Sequence, residues 1–176
     1  ENLLRVEDTY MISGTGVIPQ FKGSTASCNF TQATSASITL IGKMIDSLAQ
    51  LEDSNERNAT GILLRPVDYY GFFKNQASGS GEFDLPVNVS FVNGTLYISG
   101  VPVYASTGMT SGRYIVGDWD MGAQLLIQES MRVEFFEQDS TNVRENKITV
   151  RIEETAAFPV YGSSFFIYGT VPTMAS

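Results

Sequence analysis

Apolar residues recur with a helical spacing in one segment of the first half of the chain. They lie three and four positions apart, at Ile38, Ile41, Met44, Ile45, Leu48 and Leu51. This spacing puts the side chains on one face of a helix. A serine before the stripe, Ser35 or Ser37, can cap the first turn by accepting a hydrogen bond from a free backbone N–H group. The pattern predicts an amphipathic helix from Ala36 to about Glu52.

The segments on either side of this helix predict shorter elements. Residues 1–10 are typical of the last turns of a helix and precede a glycine loop at 13–16. The polar stretch 23–37 predicts a loop or an irregular strand. The string "TGILLRP" predicts a short strand that ends at Pro66. Because proline favours the first position of a helix, a second helix should continue through "VDYYGFFKN".

Strand patterns follow in the middle of the chain. Residues 76–94 predict a long loop that contains one strand around Val87 to Val92. The strings "TLYISGVPVYAS" and "GRYIVGDW" predict strands on either side of the glycine turn "TGMTSG". Helices before residue 76 and strands after it favour an α+β fold.

The last third alternates apolar and polar residues. The strings "MRVEFFE" and "NKITVRIEE" predict the two arms of a long, half-exposed hairpin, joined by the polar turn "QDSTNVR". In the second arm, Ile148, Val150 and Ile152 face one way and the polar residues between them face the other. A last strand, "SSFFIYGT", follows the hairpin.

Length and charge narrow the class of protein. The 176 residues, 43% of them hydrophobic, suffice for one core, which predicts a single compact domain. Nineteen acidic and eleven basic residues give a net charge of -8, which disfavours binding to nucleic acid or to anionic lipid. No apolar run approaches the roughly 20 residues of a membrane span, and the N-terminus lacks a signal-peptide pattern. We therefore expect a soluble chain with no sequence-specific nucleic acid and no membrane as partner.

The composition leaves little room for catalysis. The chain has no histidine and one cysteine, Cys28. This excludes disulfide scaffolds, Ser-His-Asp and Cys-His nucleophiles and ordinary zinc sites, so we expect no catalytic residue, cofactor or metal. Asn-x-Ser/Thr triplets begin at Asn29, Asn58, Asn88 and Asn93. Nothing else indicates a secretory route, so we interpret them as chance occurrences and not as glycan acceptors.

One pair of carboxylates invites a catalytic interpretation. In "YIVGDWDMGAQL", Asp118 and Asp120 flank Trp119, the chain's single tryptophan. In an extended segment the two side chains point to one side with Cα atoms about 7 Å apart, and the carboxyl groups of glycosidases lie roughly 5 to 9.5 Å apart. Such pairs usually come from different strands across an aromatic-lined cleft. We therefore favour a capped turn over an acid/base pair.

A second hypothesis keeps a role for this pair. A secreted, β-rich carbohydrate-binding or glycoside-hydrolase-like domain would use the pair and Glu134 as carboxylates. Trp119, with Tyr97 or Tyr104, would form the platform for a sugar. This hypothesis requires a cleft that brings the side chains together.

Five parts of the chain are informative in combination. They are "EDTYMISGTG", the amphipathic helix followed by "ILLRPVDYYGFFK", "LYISGVPVYAS", "GRYIVGDWDMGAQLL" and "NVRENKITVRIEETAAFPVYGSSFFIYG". In this order and at these spacings they resemble the major capsid protein of tailed bacteriophages, which has the Hong Kong 97-like fold. The resemblance runs from about Glu7 to Gly169.

The resemblance implies a division of the chain. It places the end of the spine helix at about 1–12, the axial domain at about 13–128, the peripheral-domain hairpin at about 129–156 and a return strand at about 157–176. Nothing in the chain corresponds to the family's N-terminal arm, its extended loop or most of its spine helix. We therefore expect a C-terminal fragment of a capsid protein.

The resemblance also implies a function. The chain would be a structural subunit of a phage or prophage icosahedral capsid that assembles into pentamers and hexamers around packaged DNA, without catalysis. Its partners would be other copies of itself and, during assembly, scaffold, portal or protease. It would be made in the cytoplasm of a bacterial host and reside in the virion capsid.

Residues of the hairpin carry the remaining expectations. In the family this hairpin meets neighbouring capsomers, which implies a subunit interface at Glu134, Glu137, Asp139, Arg144, Glu145 and Asn146. Some members join subunits through a Lys-Asn isopeptide bond, and Asn146 and Glu153 match the acceptor asparagine and the assisting acid. Because they are seven residues apart, their side chains lie on opposite faces of a strand and cannot reach the same bond within one chain. We therefore favour a structural role for both.

Overall fold

The computed structural model describes residues 2–13, 31–37, 39–71, 88–137 and 147–172. They form two compact units. The first comprises the described residues of Glu1–Gln124 and Val160–Ser176, and the second comprises those of Leu125–Pro159. Length alone predicts one domain, whereas the strands of the second unit pair only with each other.

The elements carry consecutive names along the chain, and their mixture of helix and sheet confirms the expected α+β class. They are α1 (Asn2–Ser13), β1 (Thr31–Gln32), α2 (Leu40–Asn55), β2 (Gly61–Leu64), α3 (Pro66–Gly71), β3 (Val89–Val92), β4 (Thr95–Ile98), β5 (Val101–Ala105), β6 (Arg113–Gly117), α4 (Trp119–Gly122), β7 (Leu126–Phe136), β8 (Thr149–Ala157), a 3-10 turn (Ser163–Phe165) and β9 (Phe166–Thr170).

Seven strands of the first unit form one mixed sheet. Their order is β1-β9-β6-β2-β5-β4-β3. The pairs β1–β9 and β2–β5 are parallel, and the other pairs are antiparallel. In the second unit, β7 and β8 form an antiparallel two-stranded sheet. Residues 14–30, 72–87 and 138–146, which include most of the predicted glycine loop and the predicted hairpin turn, lie outside the described residues.

Helix α2 forms where the apolar stripe predicts a helix, but it begins later. Its cap is Thr39, whose hydroxyl accepts a hydrogen bond from Gly42 N at 3.2 Å. The two serines expected to cap the helix donate instead to Asp46 Oδ2, Ser35 Oγ at 2.5 Å and Ser37 Oγ at 2.7 Å. The predicted start and the predicted serine cap are therefore wrong, because a charged acceptor in the second turn binds both hydroxyls.

The main core lies between α2 and one face of the sheet. It contains Leu40, Met44, Leu48 and Leu51 from the helix, with Ile62, Leu64, Leu96, Ile98, Val103, Tyr114, Val116 and Ile167 from the strands. The predicted buried stripe is thus confirmed at Met44, Leu48 and Leu51. Ile41 and Ile45 are partly buried, and Ile38 lies outside the described residues. Within this core, the Tyr114 hydroxyl lies 2.8 Å from Ser47 Oγ and donates to Lys43 O at 3.2 Å. Burial raises the pKa of Tyr114, so its hydroxyl remains a neutral, hydrogen-bonded tie between helix and sheet.

A smaller core lies on the opposite face of the sheet. Ile115 of β6 and Phe166 of β9 meet Ile12 of α1 and Met109 there. Partly buried side chains border this cluster, among them Leu63, Trp119, Ala123, Val160, Phe165 and Tyr168. Both faces of the central strands are therefore covered, which explains why β6 is buried along almost its whole length.

Strands β6 and β9 each place an aromatic ring over a glycine of the other strand. Tyr114 lies opposite Gly169, and Phe166 lies opposite Gly117. A Cβ atom on Gly169 would collide with the ring of Tyr114, and one on Gly117 would collide with the ring of Phe166. Both rings are fully buried and cannot move aside. The two pairs therefore fix the register of β6 and β9, one on each face of the sheet.

We expect Gly169→Ala to reduce the free energy of unfolding by about 2 kcal/mol or more, because the added methyl group overpacks a buried site. Chemical denaturation of the purified chain measures this. Gly162→Ala is the matched control: its added Cβ would meet the Phe165 ring at an ordinary 3.5 Å, so its stability should change by less than about 0.5 kcal/mol. Equal stability of the two variants would contradict this account of the β6–β9 pairing.

The Asp46 contacts predict a pH dependence. Hydrogen bonds from Ser35 and Ser37 hold the pKa of Asp46 below its usual 3.8. A lowered folded-state pKa adds stability that is present above the unfolded value and is lost as the pH falls through the folded value. The stability gap between the wild type and Asp46→Asn should therefore be full above pH 3.8 and close at lower pH. Asp53→Asn, at an exposed position of the same helix, should show no gap. Melting curves across acid pH check both, and a gap that widens in acid would contradict the assignment.

Candidate functional site

The two candidate carboxylates at the end of β6 have different surroundings. Asp118 caps α4: its Oδ1 accepts a hydrogen bond from Met121 N at 3.2 Å, and its own N–H donates to Phe165 O at 3.0 Å. Asp118 is 7% exposed, whereas Asp120 is exposed on the first turn of α4. The chain turns into a helix here, so the expectation that both side chains lie on one side of an extended segment is wrong. The capped turn favoured from the sequence is confirmed.

Trp119 joins this turn to the start of β2. Its backbone N–H donates to Thr60 Oγ1 at 2.9 Å, and its indole Nε1 donates to Gly61 O at 3.2 Å. Its ring packs edge-on against Phe166, with centroids 4.8 Å apart. These three contacts fix the indole, because its backbone, its ring nitrogen and its ring edge all have partners.

A shallow hollow of about 310 Å³ opens beside this indole. It is lined by Thr60, Leu63, Tyr104, Trp119 and Asp120, and is called the Trp119 hollow below. The structure therefore brings together Trp119, Tyr104 and Asp120, three residues of the carbohydrate hypothesis. It leaves out Tyr97, which does not line the hollow. It also leaves out Asp118, whose carboxylate accepts a hydrogen bond from Met121 N within the turn. A glycosidase needs two carboxylates at the bond that is cleaved, and this hollow supplies one.

The β7–β8 hairpin presents two faces of different chemistry. Because residues directly opposite each other share a face, the register separates them. Val133 opposes Ile152 and Phe135 opposes Val150 on one face. The other face carries the opposed pairs Arg132–Glu153 and Glu134–Arg151. The alternation predicted for this segment is confirmed. Away from the turn both strands extend beyond the predicted strings, whereas towards the turn β7 ends at Phe136 and β8 begins at Thr149, inside those strings.

Four side chains on the charged face form a closed ring of ion pairs. Arg132 lies 3.1 Å from Glu134 and 3.4 Å from Glu153, and Arg151 lies 3.0 Å from Glu134 and 2.9 Å from Glu153. All four are solvent-accessible, so each pair adds little to stability, but together they favour this register over a shifted one. Glu134, expected at an interface, and Glu153, expected as an assisting acid, both have basic partners here.

The opposite face of the hairpin is apolar and open to solvent. It carries Met131, Val133, Phe135, Val150 and Ile152, with Ile148 in the same alternation, and is called the hairpin apolar face below. The most exposed of these side chains, Phe135, has 68% of its surface accessible to solvent. A two-stranded sheet is marginally stable in water, and contiguous exposed apolar groups of this kind mark interaction surfaces. This face is therefore the strongest candidate for a contact with another molecule.

The remaining candidate residues lie around the hairpin turn. Glu137 is exposed just after β7. Asp139, Arg144, Glu145 and Asn146 lie outside the described residues. Within the described ranges, no set of three or more His, Cys, Asp or Glu side chains is arranged to hold a metal ion. The described helices also include none with the length and hydrophobicity needed to cross a bilayer.

We expect Asp118→Ala to destabilise the chain by about 1 kcal/mol, the usual loss when a helix cap is removed. Asp120→Ala, its matched control two residues away, should change stability by less than about 0.5 kcal/mol because the side chain is exposed. Urea titration of both variants measures the difference. If Asp120→Ala proved the more damaging substitution, the assignment of the cap would be wrong.

Solved structures from three kinds of particle share this fold at low sequence identity. The capsid of an empty GTA particle is 15% identical with a TM-score of 0.69, and the match covers 98% of this chain and 63% of that one. The structure of Microbacterium phage Oxtober96 is 14% identical with a TM-score of 0.69, and the match covers 97% of this chain and 61% of that one. The holo-SrpI encapsulin complex of Synechococcus elongatus PCC 7942 is 13% identical with a TM-score of 0.63, and the match covers 99% of this chain and 63% of that one. The chain thus spans a little under two thirds of the length of these proteins.

The shared architecture confirms the Hong Kong 97-like capsid fold expected from the sequence. A search of curated proteins found no match. The model of the phage capsid family, in contrast, matches residues 1–171, which is nearly the whole sequence. The chain belongs to the phage capsid family.

Proposed function

We propose that this chain is a structural subunit of a phage or prophage capsid and that it acts by repeated association with copies of itself. The observation that carries the proposal is the hairpin apolar face, a row of large apolar side chains left in water by the described residues. Membership of the phage capsid family supports an assembly of many copies, in which a neighbouring copy would cover such a face.

The shape of this face suits a protein partner better than a small ligand. Ligand sites are concave and enclose most of the ligand, whereas a two-stranded sheet offers a nearly flat surface. Its apolar centre lies next to charged residues at the hairpin end, such as Glu137, and this resembles the apolar core and polar rim of a protein interface. We propose that Asp139, Arg144, Glu145 and Asn146 contribute to the same rim.

Energetics favour many weak contacts over one strong one. Fully burying a large apolar side chain contributes about 1.5 to 3 kcal/mol, so covering the half-exposed residues of the hairpin apolar face contributes about 1 kcal/mol each. Association costs an estimated 4 to 15 kcal/mol in lost freedom of motion. One such contact therefore leaves a weak dimer, whereas a closed shell that repeats the contact around each subunit is stable. Pentamers and hexamers are the arrangement we propose.

Other expectations follow from the same proposal. The first unit would correspond to the axial domain and the second to the peripheral-domain hairpin. A net charge of -8 suits a shell that encloses DNA without binding it tightly. We propose no catalysis, residence in the virion capsid after synthesis in the host cytoplasm, and scaffold, portal or protease as transient partners. Glu153 bonds to Arg132 and Arg151, which supports a structural role and a shell without an Asn146 cross-link.

The test is assembly of the full gene product and its dependence on the hairpin apolar face. Wild-type protein should form closed shells visible by electron microscopy. Phe135→Ser should abolish them or reduce their yield at least tenfold, because one large anchor of the interface is lost. Val67→Ser is the matched control: Val67 is an equally exposed apolar residue, at 71%, on α3, and its loss should leave the yield unchanged.

Circular dichroism should show that both variants remain folded. Absence of shells from the wild type would contradict the proposed function. Normal shells from Phe135→Ser would show that the hairpin apolar face is not the contact.

A further inference from the structure

We propose that the Trp119 hollow is a receptor site for an arginine or lysine side chain presented by a neighbouring copy of the chain. This inference rests on the proposed function. It concerns the first unit, and is separate from the hairpin apolar face that carries that proposal.

A glycine makes the hollow possible. Gly61 follows the lining residue Thr60, and an added Cβ on Gly61 would lie 3.2 Å from Trp119 Cδ1 and 3.3 Å from Tyr104 Cε2. The absence of a side chain therefore lets the two rings converge over β2. Leu63 and Tyr104 are neighbours in the β2–β5 register and complete the apolar wall. Because Trp119 is fixed by its own contacts, one side of the site is formed before anything binds.

The chemistry of the lining favours a cation. The negative face of an aromatic ring attracts an ammonium or guanidinium group, and a carboxylate at the rim adds a charged partner. Here Tyr104 is 54% exposed and Asp120 is exposed, so both can be reached from solvent. Among the described residues, no cation lies over either ring and no basic group pairs with Asp120.

A sugar fits the same lining less well. Sugar recognition needs free donors and acceptors around an aromatic platform. Thr60 Oγ1 already accepts from Trp119 N, and the indole Nε1–H already donates to Gly61 O. The side-chain polar groups of the described lining that these bonds leave available are the Asp120 carboxylate, the Tyr104 hydroxyl and the O–H of Thr60. An anion is disfavoured because the described residues that line the hollow include a carboxylate and no basic side chain.

The chain uses the proposed contact elsewhere. Arg57 lies 4.3 Å from the centroid of the Phe165 ring, and Arg113 lies 5.3 Å from that of Tyr168. In the second unit, Arg151 lies 5.3 Å from the centroid of Phe136. The Trp119 hollow has the same aromatic component and an added carboxylate, and no described residue places a cation there.

Charge identifies the neighbouring copy as the source. Each copy carries a net charge of -8, so close copies repel one another. A contact that places a basic side chain of one copy against a carboxylate of the next reduces this repulsion. It also gives a direction to the contact, because the donor and receptor surfaces differ, as a ring of subunits requires.

The first test measures binding in the unassembled full-length protein. If Trp119 is the tryptophan that responds, its fluorescence reports directly on the hollow. N-acetylarginine amide and N-acetyllysine amide should each give a saturable change that weakens with added salt, and N-acetylglutamine amide should give none. Asp120→Asn and Tyr104→Leu should each weaken binding about fivefold or more, the scale of a single cation–aromatic or ion-pair contact. Asp53→Asn, an exposed acid on α2, is the control and should bind as the wild type does.

Two results would overturn the receptor site. One is a flat titration with both cationic amides. The other is a larger response to maltohexaose than to either amide, which would make the hollow a sugar site.

The second test concerns the neighbouring copy. Shells of Asp120→Asn should form in lower yield or dissociate at lower salt than wild-type shells, and Asp53→Asn shells should not. Wild-type behaviour of Asp120→Asn shells would overturn the inference and leave the proposed function intact. Failure of the wild type to form shells would count against the proposed function, and the amide titrations would still decide whether the hollow binds cations.

Discussion

The pairing of β6 with β9 is the interaction on which the rest of the first unit depends. Tyr114 covers Gly169 on one face of the sheet, and Phe166 covers Gly117 on the other. Each ring then supports a further contact. Tyr114 binds Ser47 of α2, and Phe166 supports the indole of Trp119. The β6–β9 pair thus holds both layers against the sheet, so changes at Gly117 and Gly169 should affect the main core and the Trp119 hollow together.

The hairpin of the second unit is held in register by a different kind of contact. Its strands have a fixed register, yet one of its two faces is apolar and exposed. The ring of ion pairs on the charged face favours this register without burying any apolar group. Solvent-exposed ion pairs contribute little stability, but a shift by one residue would separate the two pairs that cross between the strands, Arg132–Glu153 and Glu134–Arg151. The hairpin apolar face therefore stays exposed, as the proposed contact between copies requires, in a chain that belongs to the phage capsid family.

Periodic patterns predicted the elements well, since periodicity reflects which face is buried. The stripe of α2, the strand at β6 and the two arms of the hairpin were all visible in the sequence. Contacts between distant residues were not. Ser35 and Ser37 bind Asp46 and leave the cap to Thr39, and the bond from Asp118 N to Phe165 O depends on the β6–β9 register. Tyr104 and Trp119 meet over Gly61 only because β2 lies between β5 and β6, an order that no local pattern encodes.

The central claim is that copies of the chain bury the hairpin apolar face when they assemble. Hydroxyl-radical footprinting with residue-level mass spectrometry tests it on the full gene product, free and in purified particles. Phe135 and Phe136 are adjacent but lie on opposite faces of β7, and Arg151 lies over Phe136. The account predicts rapid oxidation of Phe135 in the free protein and strong protection in particles, with a smaller change at Phe136. Equal oxidation of Phe135 in both states would contradict it.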